Sequence, residues 1–238
     1  MPDFIEIWSY LSQGPLVWLT LTLVAYVAGD ALAEAVQRRP YANSVLIAAV
    51  LLAVMLWLTG TSYEVYFEGA QFVHFLLGPA TVALAVPLYL QGARLKRAVL
   101  PVIAGLVTGS FVAVVSALGI ARAFGVDAVT LASLAPKSTT APVAIGIAQS
   151  LGGSPTLTAV LVILTGITGA LIATPLLNML RVTDWRARGL AVGTAAHGIG
   201  TARAFQVNPT AGAFAGIGMG LNAILTALIA PMVLRLFL

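Results

Sequence analysis

The sequence predicts an all-α, polytopic membrane protein with about six full spans and two opposed re-entrant or broken helical hairpins. Of its 238 residues, 60% are hydrophobic and only 8% are charged, whereas soluble domains carry about 25% charged residues. Its apolar runs are long and continuous, which favours helices over the alternating pattern of a transmembrane β-barrel. No long polar linker interrupts the chain, so we expect one transmembrane domain over residues 1–238.

Apolar runs of roughly 20 residues, the length that crosses a bilayer, define the expected spans. In chain order they are Leu16–Val36, Ser44–Leu58, Phe72–Leu90, Ala98–Ile120, Leu157–Leu180 and Ala211–Phe237. Residues 60–71, with Glu64 and Glu68, are expected to form a connecting loop. We expect residues 1–95 to be a scaffold or oligomerisation part and residues 96–238 to be a transport core.

The segment Ala128–Gln149 is shorter and more polar than the spans, and its centre lies between two prolines. Proline interrupts a helix, and a charge at membrane depth is costly, so the segment indicates a polar site. A free helix N-terminus, hydroxyl groups and a lysine together suit a carboxylate. The competing interpretation is a surface loop whose lysine reaches the interface. The candidate ligands here are Lys137, Ser138, Thr139 and Thr140.

The basic residues indicate how this segment meets the membrane, because cytoplasmic loops collect lysine and arginine. The basic residues that mark the cytoplasmic side are Arg38, Arg39, Arg94, Lys96 and Arg97. A full crossing would place the later residues Arg181, Arg186 and Arg188 outside, whereas a hairpin places them inside. We therefore expect a hairpin over residues 128–150, with a full crossing as the alternative.

A second polar segment, Gly189–Phe205, predicts a counterpart that enters from the cytoplasm over residues 189–206, either as a hairpin or as a full span. His197 would relay a proton, since histidine titrates near neutral pH, and Arg203 would bind a carboxylate. A packed histidine and an interface anchor are the competing interpretations. The candidate ligands are His197, Gly200, Thr201, Arg203 and, from the last span, Asn222. The competing interpretation of Thr201 is that it packs helices together, and Thr194 is interpreted in the same way. The competing interpretation of Asn222 is that it bridges to a hairpin.

Short internal matches predict an inverted repeat. Ala170–Ala173 and Ala227–Ala230 have the same sequence, and each lies late in the span after a polar segment. Ala121–Phe124 recurs as Ala202–Phe205. Inverted repeats with broken helices at the midplane are typical of transporters.

Several classes of function lack their motifs in this chain. It has no cysteine, no HExxH sequence, no P-loop and no dinucleotide fingerprint. Its basic residues are spread over short loops rather than clustered for nucleic acid. We expect no enzyme activity, no cofactor, no metal site and no nucleic-acid partner.

Three stretches resemble the LrgB/CidB family of bacterial membrane proteins. They are Leu76–Tyr89, the Pro136–Pro142 stretch with its Lys-Ser pair, and Gly193–Arg203, and the resemblance extends over nearly the whole chain. Two departures stand out: Ala196 where the family commonly has serine, and Ala141 where it commonly has threonine. Each departure removes a hydroxyl group, which bears on substrate preference.

The resemblance implies two competing functions. One is a holin/antiholin-like regulator of murein hydrolase export and lysis, working with a small LrgA/CidA-type membrane protein. The other is transport of small organic acids, as in plant plastid glycolate/glycerate carriers and bacterial relatives linked to pyruvate uptake. Paired broken helices favour the second. We expect a secondary transporter of the pyruvate, lactate, glycolate and glycerate class in the bacterial inner membrane, with coupling to protons. Its expected partners are the lipid bilayer, the carboxylate, an LrgA/CidA-like protein and a second copy in a dimer.

Overall fold

The computed structural model of the protein describes residues 14–39, 42–76 and 98–238, and the single positions 79, 82 and 89. The regular elements of these residues are helices: α1 (Pro15–Ala35), α2 (Ser44–Thr59), α3 (Tyr63–Phe75), α4 (Val99–Ala123), α5 (Ala128–Leu134), α6 (Ala141–Ser150), α7 (Pro155–Met179), α8 (Trp185–Val207) and α9 (Pro209–Leu234). They divide between two compact units, residues 1–80 and 81–238.

Four of the described helices, α1, α4, α7 and α9, are long and apolar enough to cross a membrane. They confirm as helices four of the expected spans, with bounds shifted by up to three residues. The second expected span forms α2, a shorter helix of 16 residues. Most of the third, Phe72–Leu90, lies outside the described residues. The count of six spans therefore stays a prediction.

The expected loop over residues 60–71 is wrong, because most of it belongs to α3. Only the start of this stretch is non-helical: Gly60 adopts a positive φ of 62° and ends α2. After Gly60, the packing of aromatic side chains determines the structure more than the two glutamates do. Tyr66 meets the ring of Trp18 edge-on at 5.9 Å, while Glu64 and Glu68 lie on the exposed side. An amphipathic helix therefore replaces the loop.

The first unit is held together by close contacts between α1 and its neighbours. A Cβ at Gly29 would lie 2.7 Å from the carbonyl oxygen of Ser44, and one at Gly69 would lie 2.1 Å from that of Pro15. Such backbone contact is the usual reason for glycine between membrane helices. Arg38 binds both carboxylate oxygens of Asp30, at 2.8 and 3.0 Å.

In the second unit, the same order of elements occurs twice after α4. An aspartate caps a short polar segment, Asp127 before α5 and Asp184 before α8. A long helix follows each segment and starts with proline, Pro155 in α7 and Pro209 in α9. Proline suits the first helical position because that position has no intrahelical N–H bond to lose. This repeated order supports the predicted repeat, whose inverted geometry stays a prediction.

The first segment, residues 128–150, is a hairpin: α5, a turn over residues 135–140, and α6. Both arms pack on the C-terminal parts of α4 and α9, since Leu131 from α5 and Ile147 from α6 belong to one apolar cluster with Leu118 and Val233. The chain therefore enters and leaves the hairpin at the same end of α9.

The second segment is also a hairpin, although its residues 185–207 read as one helix. At Ala196 (φ −125°, ψ 16°) and His197 (φ 40°, ψ −135°) the backbone leaves the helical conformation. Residues eight apart on a straight helix are separated by about 12 Å. Here a Cβ at Gly200 would lie 3.0 Å from Cγ1 of Val192. The residues after the turn, 198–207, therefore form a second arm that folds back on the first arm, residues 185–195.

Contacts with α9 give the direction of each arm of this second hairpin. Along the first arm, Gly189 and then Gly193 meet the carbonyl groups of Ala211 and Ala215, so this arm runs parallel to α9. Along the second arm, Thr201 contacts Met219 and Phe205 contacts Gly212, so this arm runs back. The second hairpin therefore starts and ends at the N-terminal end of α9, opposite the first.

Candidate functional site

The tips of the two hairpins meet at Asn222, which is fully buried at the middle of α9. Its Nδ2 donates one hydrogen bond to the carbonyl oxygen of Ser138, in the turn of the first hairpin, and one to that of Thr194, near the tip of the second. Both bonds measure 3.1 Å. A single amide thus holds both tips at the same level along α9, close to Asn222. We call the residues at this level the layer.

The other end of the same amide is bound as well. Oδ1 of Asn222 accepts hydrogen bonds from the hydroxyls of Ser110, at the middle of α4, and of Thr226, at 3.3 Å. Both donors of the side chain and its carbonyl oxygen are therefore in use. These bonds support the bridging role of Asn222; its expected contact with a ligand stays a prediction.

The first tip carries the four residues predicted from the proline-bounded stretch. Lys137 is half-buried, and its Nζ donates to Oγ of Ser138 at 3.2 Å. The Thr139 hydroxyl is buried and donates to the carbonyl oxygen of Pro136 at 3.1 Å. Thr140 is the N-cap of α6, but its side chain makes no capping hydrogen bond. Lys137 and the first turn of α6 thus bring positive charge and an N-terminal helix dipole to one place.

The second tip is built around His197. Its Nε2 lies 2.8 Å from the carbonyl oxygen of Val162 on α7. Because a carbonyl oxygen only accepts, Nε2 carries the hydrogen and Nδ1 is the nitrogen left to bind a proton. A Cβ at Gly166 would lie 2.6 Å from the imidazole ring, so only glycine leaves room for this histidine.

Gly200 and Thr201 support the second tip from within. A side chain at Gly200 would collide with Ala196, since its Cβ would lie 2.6 Å from that of the alanine. The Thr201 hydroxyl donates to the carbonyl oxygen of His197 at 2.7 Å. Both residues therefore stabilise the reversal of the chain, and their contact with a ligand stays a prediction.

Arg203 lies apart from the tips, near the outer end of the second arm. It lines a small pocket with Arg188 and Trp185, which belong to the start of the first arm. Arg188 is buried, donates to the carbonyl oxygen of Val182 at 3.2 Å, and stacks on Trp185 at 4.8 Å. The structure thus gathers Lys137 to Thr140, His197, Thr201 and Asn222 in one layer but leaves Arg203 outside it.

The helix ends at this layer favour an anion. The first arms end here with their carbonyl groups, and the second arms begin here with their N–H groups. Two carbonyl oxygens near the tips, those of Ser138 and Thr194, are already bound by Asn222. The N-terminal ends of α6 and of the second arm of α8 keep their positive dipole ends. Lys137 adds a full positive charge to the same layer.

Sequence reasoning passed over Thr194 as a residue that packs helices. It is 4% exposed, and its hydroxyl is buried without a hydrogen-bond partner among the described residues. It also closes the inner end of a groove of about 350 Å³ between α4 and α8, lined mainly by glycine, alanine and proline. Its position three residues before the only histidine of the polar segment was the available signal. Among the described residues, no group of three or more histidine, aspartate and glutamate side chains could hold a metal ion.

The comparison with known proteins follows the same residues. The LrgB-like family matches residues 22–236. The uncharacterized proteins YxaC and YwbG of Bacillus subtilis are 36% and 35% identical over 93% and 92% of this chain, and over 96% and 97% of their own lengths. The holin-like protein CidB of Staphylococcus epidermidis and that of Staphylococcus aureus are both 32% identical over 93% of this chain and 96% of their own. No solved structure matches the chain.

Proposed function

The chain belongs to the LrgB-like family of membrane proteins, and we propose that it is a secondary transporter of small organic acids. The substrate class is that of pyruvate, lactate, glycolate and glycerate. One observation carries the proposal: Asn222 binds the tips of two hairpins that start at opposite ends of α9. Membrane transporters commonly place their substrate where broken helices meet at the midplane.

In this proposal, residues 128–150 and 185–207 are re-entrant hairpins that enter the bilayer from opposite faces. Irregular backbone at membrane depth is tolerated where protein or water satisfies it, and Asn222 satisfies one carbonyl group at or beside each tip. Each hairpin then closes the site from one side. Movement of one hairpin away from α9 would open the site to that side, which is alternating access.

The substrate carboxylate would lie between Lys137 and the N-terminal ends of the second arms. Ser138 and Thr139 follow the lysine in the turn and supply further hydroxyl groups for the carboxylate, while Thr140 would contact another part of the substrate. A carboxylate there neutralises the half-buried ammonium group, so binding of the anion and burial of Lys137 favour each other. Arg203, at the outer end of the second hairpin, would attract the anion before it reaches the tips.

His197 would couple transport to protons. Nε2 is held by the carbonyl group of Val162 at 2.8 Å, so a proton that enters the ring binds at Nδ1. Protonation adds a positive charge beside Lys137, which is favoured only when an anion is present. A proton and a carboxylate would therefore bind together.

We place the protein in the bacterial inner membrane as a multi-pass transporter without enzyme activity. Residues 1–95 would form the scaffold and the contact with a second copy in a dimer, and an LrgA/CidA-type protein would be the further partner. Residues 96–238 would form the moving core.

Uptake by reconstituted vesicles tests the proposal. The purified protein is expected to give saturable uptake of labelled pyruvate or glycolate, with and without a co-reconstituted LrgA/CidA-type protein. Lys137→Ala is expected to reduce that uptake to background while the protein stays folded. Arg122→Ala is the matched control, because it removes an exposed cation at the end of α4 and should keep uptake. Absence of uptake under both conditions would exclude these substrates.

The names of the staphylococcal relatives favour a second candidate, a holin/antiholin-like regulator of murein hydrolase export and lysis. A pore of that kind passes solutes without saturation. Vesicles that hold both labelled pyruvate and a larger fluorescent dye separate the two functions. Transport predicts that the dye stays inside, whereas release of the dye favours the regulator.

A further inference from the structure

Two buried hydroxyl groups near the hairpin tips have no hydrogen-bond partner among the described residues. They are Oγ1 of Thr140 in the first hairpin and Oγ1 of Thr194 in the second. An unpaired hydroxyl loses its bonds to water on burial and gains nothing in return, so such groups are rare and call for a partner. The hydroxyls of Ser110, Thr201 and Thr226 in the same layer are all bonded.

The local structure shows why neither hydroxyl finds a partner among the described residues. Thr140 is at the N-cap of α6, where a threonine hydroxyl ordinarily binds an N–H group of the first turn, but here it makes no such bond. Thr194 faces α9 where Gly218 has no side chain: its Oγ1 lies 3.1 Å from the place a Cβ would occupy. Both hydroxyls keep a donor and an acceptor unused.

Both threonines lie next to the atoms that define the layer. The carbonyl oxygens of Ser138 and Thr194 share the nitrogen of Asn222, so by hydrogen-bond geometry they lie within about 6 Å of each other. Thr140 follows Ser138 by two residues. The two hydroxyls thus flank the layer that holds Lys137, one from each hairpin.

We propose that Thr140 and Thr194 bind the oxygen on C2 of the substrate and so select 2-oxo and 2-hydroxy acids over plain carboxylic acids. This inference rests on the proposed function, which assigns the carboxylate to Lys137 and the helix N-termini. A hydroxyl group donates to a keto oxygen and accepts from an alcohol, so the same pair serves pyruvate and glycolate. Acetate and propionate lack that oxygen and leave both hydroxyls unpaired, which costs affinity.

Binding of four acids to the purified protein tests the proposal. Calorimetry compares the dissociation constants of pyruvate and glycolate with those of propionate and acetate. Thr194→Val and Thr140→Val keep the shape of the side chain and remove only the hydroxyl. Each is expected to weaken pyruvate and glycolate binding about tenfold, the effect of one lost hydrogen bond, and to leave acetate and propionate binding unchanged.

Thr158→Val is the matched control. Its hydroxyl is buried but bonded, to the carbonyl oxygens of Ser133 and Ser154 at 3.1 and 2.8 Å. The control should lower the melting temperature and keep the ratio of pyruvate to acetate affinity. Thr194→Val and Thr140→Val should change that ratio and not lower the melting temperature, because they break no hydrogen bond to any residue that the structure describes.

The outcomes separate this inference from the proposed function. If the wild-type protein binds pyruvate tightly and both valine variants keep the ratio of pyruvate to acetate affinity, the inference is wrong and the transporter proposal stands. The same holds if acetate and pyruvate weaken equally. If the wild-type protein binds none of the four acids, both proposals fail.

Discussion

The two hairpins of the second unit reach the same layer, but they turn in different ways. The first turns over six residues, 135–140, between two prolines and around a lysine. The second turns at two residues, Ala196 and His197, without proline, and only the positive φ of the histidine marks the reversal. A turn that contains prolines and a charged residue can be predicted from the sequence. A turn that depends on contacts with other helices cannot.

The hairpins also differ in what holds them against the long helices. The first is held by apolar side chains, with Leu131 and Ile147 in a cluster with α4 and α9. The second lies backbone to backbone on α9, since a Cβ at Gly193 would lie 1.9 Å from the carbonyl oxygen of Ala215. Side-chain packing yields to small movements more easily than backbone contact does. The first hairpin is therefore expected to separate from the long helices more easily than the second.

The largest expected effect comes from removing the Asn222 amide, which binds the tips of both hairpins. Asn222→Leu leaves the carbonyl oxygens of Ser138 and Thr194 buried without a donor. At roughly 1–3 kcal/mol for each unsatisfied group, we expect the free energy of unfolding to fall by about 4 kcal/mol. Unfolding of the detergent-solubilised protein by SDS titration measures the change.

Ser110→Ala is the control for this substitution, because it removes one bond to the same amide and leaves both tips held. We expect it to cost about 1 kcal/mol. Equal effects of the two substitutions would mean that the link to α4, rather than the link between the tips, carries the stability.

The second prediction sharpens the contrast between backbone contact and side-chain packing. Gly193→Ala forces the second hairpin away from α9, and we expect a loss of about 3 kcal/mol. Gly146→Ala on the first hairpin meets no atom within 4 Å and should be neutral or stabilising by up to about 1 kcal/mol, because alanine favours the helix. Melting temperatures of the two variants give the comparison; similar losses would contradict it.

The sequence was informative where residue types alone determine the structure. The prolines and Lys137 predicted the interruption of the first segment, where the structure has α5, a turn and α6; that this segment is a re-entrant hairpin stays a prediction. The second was expected over residues 189–206 and spans 185–207. Its turn could not be located, because the conformation of His197 depends on the carbonyl group of Val162 and on the space at Gly166, both on another helix.

The same limit applies to single residues. Arg203 was expected either to bind the carboxylate or to anchor the base of the hairpin, and the reversal at His197 brings it toward Arg188; its role stays a prediction. Thr194 was passed over because a threonine among glycines and alanines is typical of helix packing. Only the surrounding structure shows that its hydroxyl has no hydrogen-bond partner among the described residues. The prediction of a loop over residues 60–71 was wrong because it relied on the two glutamates. The aromatic residues of this stretch pack α3 against α1.

The third prediction tests the turn of the second hairpin. His197→Gly and His197→Ala both remove the bond to Val162, but only glycine adopts the conformation at φ 40° without strain. We expect the glycine variant to be more stable than the alanine variant by about 1–2 kcal/mol. In the first hairpin, where the described turn 135–140 has no positive φ, Thr139→Gly should have no such advantage over Thr139→Ala. SDS titration of the four variants measures both differences.

The smallest expected effect concerns the entrance of the second hairpin. The side chain of Arg186 and its backbone N–H group lower the pKa of Asp184 to about 2. Because the pKa is lower in the folded protein than its usual value of 3.8, the carboxylate stabilises the fold fully above about pH 5. That stabilisation is lost as the pH falls toward 2. Asp184→Ala should therefore cost about 1 kcal/mol at pH 7, mostly from the lost helix cap, since the exposed ion pair adds little.

The pH dependence separates the charged cap from mere packing at this position. The difference in melting temperature between wild-type protein and Asp184→Ala should shrink as the pH falls from about 5 toward 2, because the carboxylate becomes protonated first in the unfolded and then in the folded protein. Asp127, the cap of the first hairpin, also has a lowered pKa, chiefly through a hydrogen bond from the Thr130 side chain. Asp127→Ala should therefore show the same convergence with a smaller starting difference, because α5 has only seven residues to lose. A constant difference across this range would show that neither carboxylate acts through its charge.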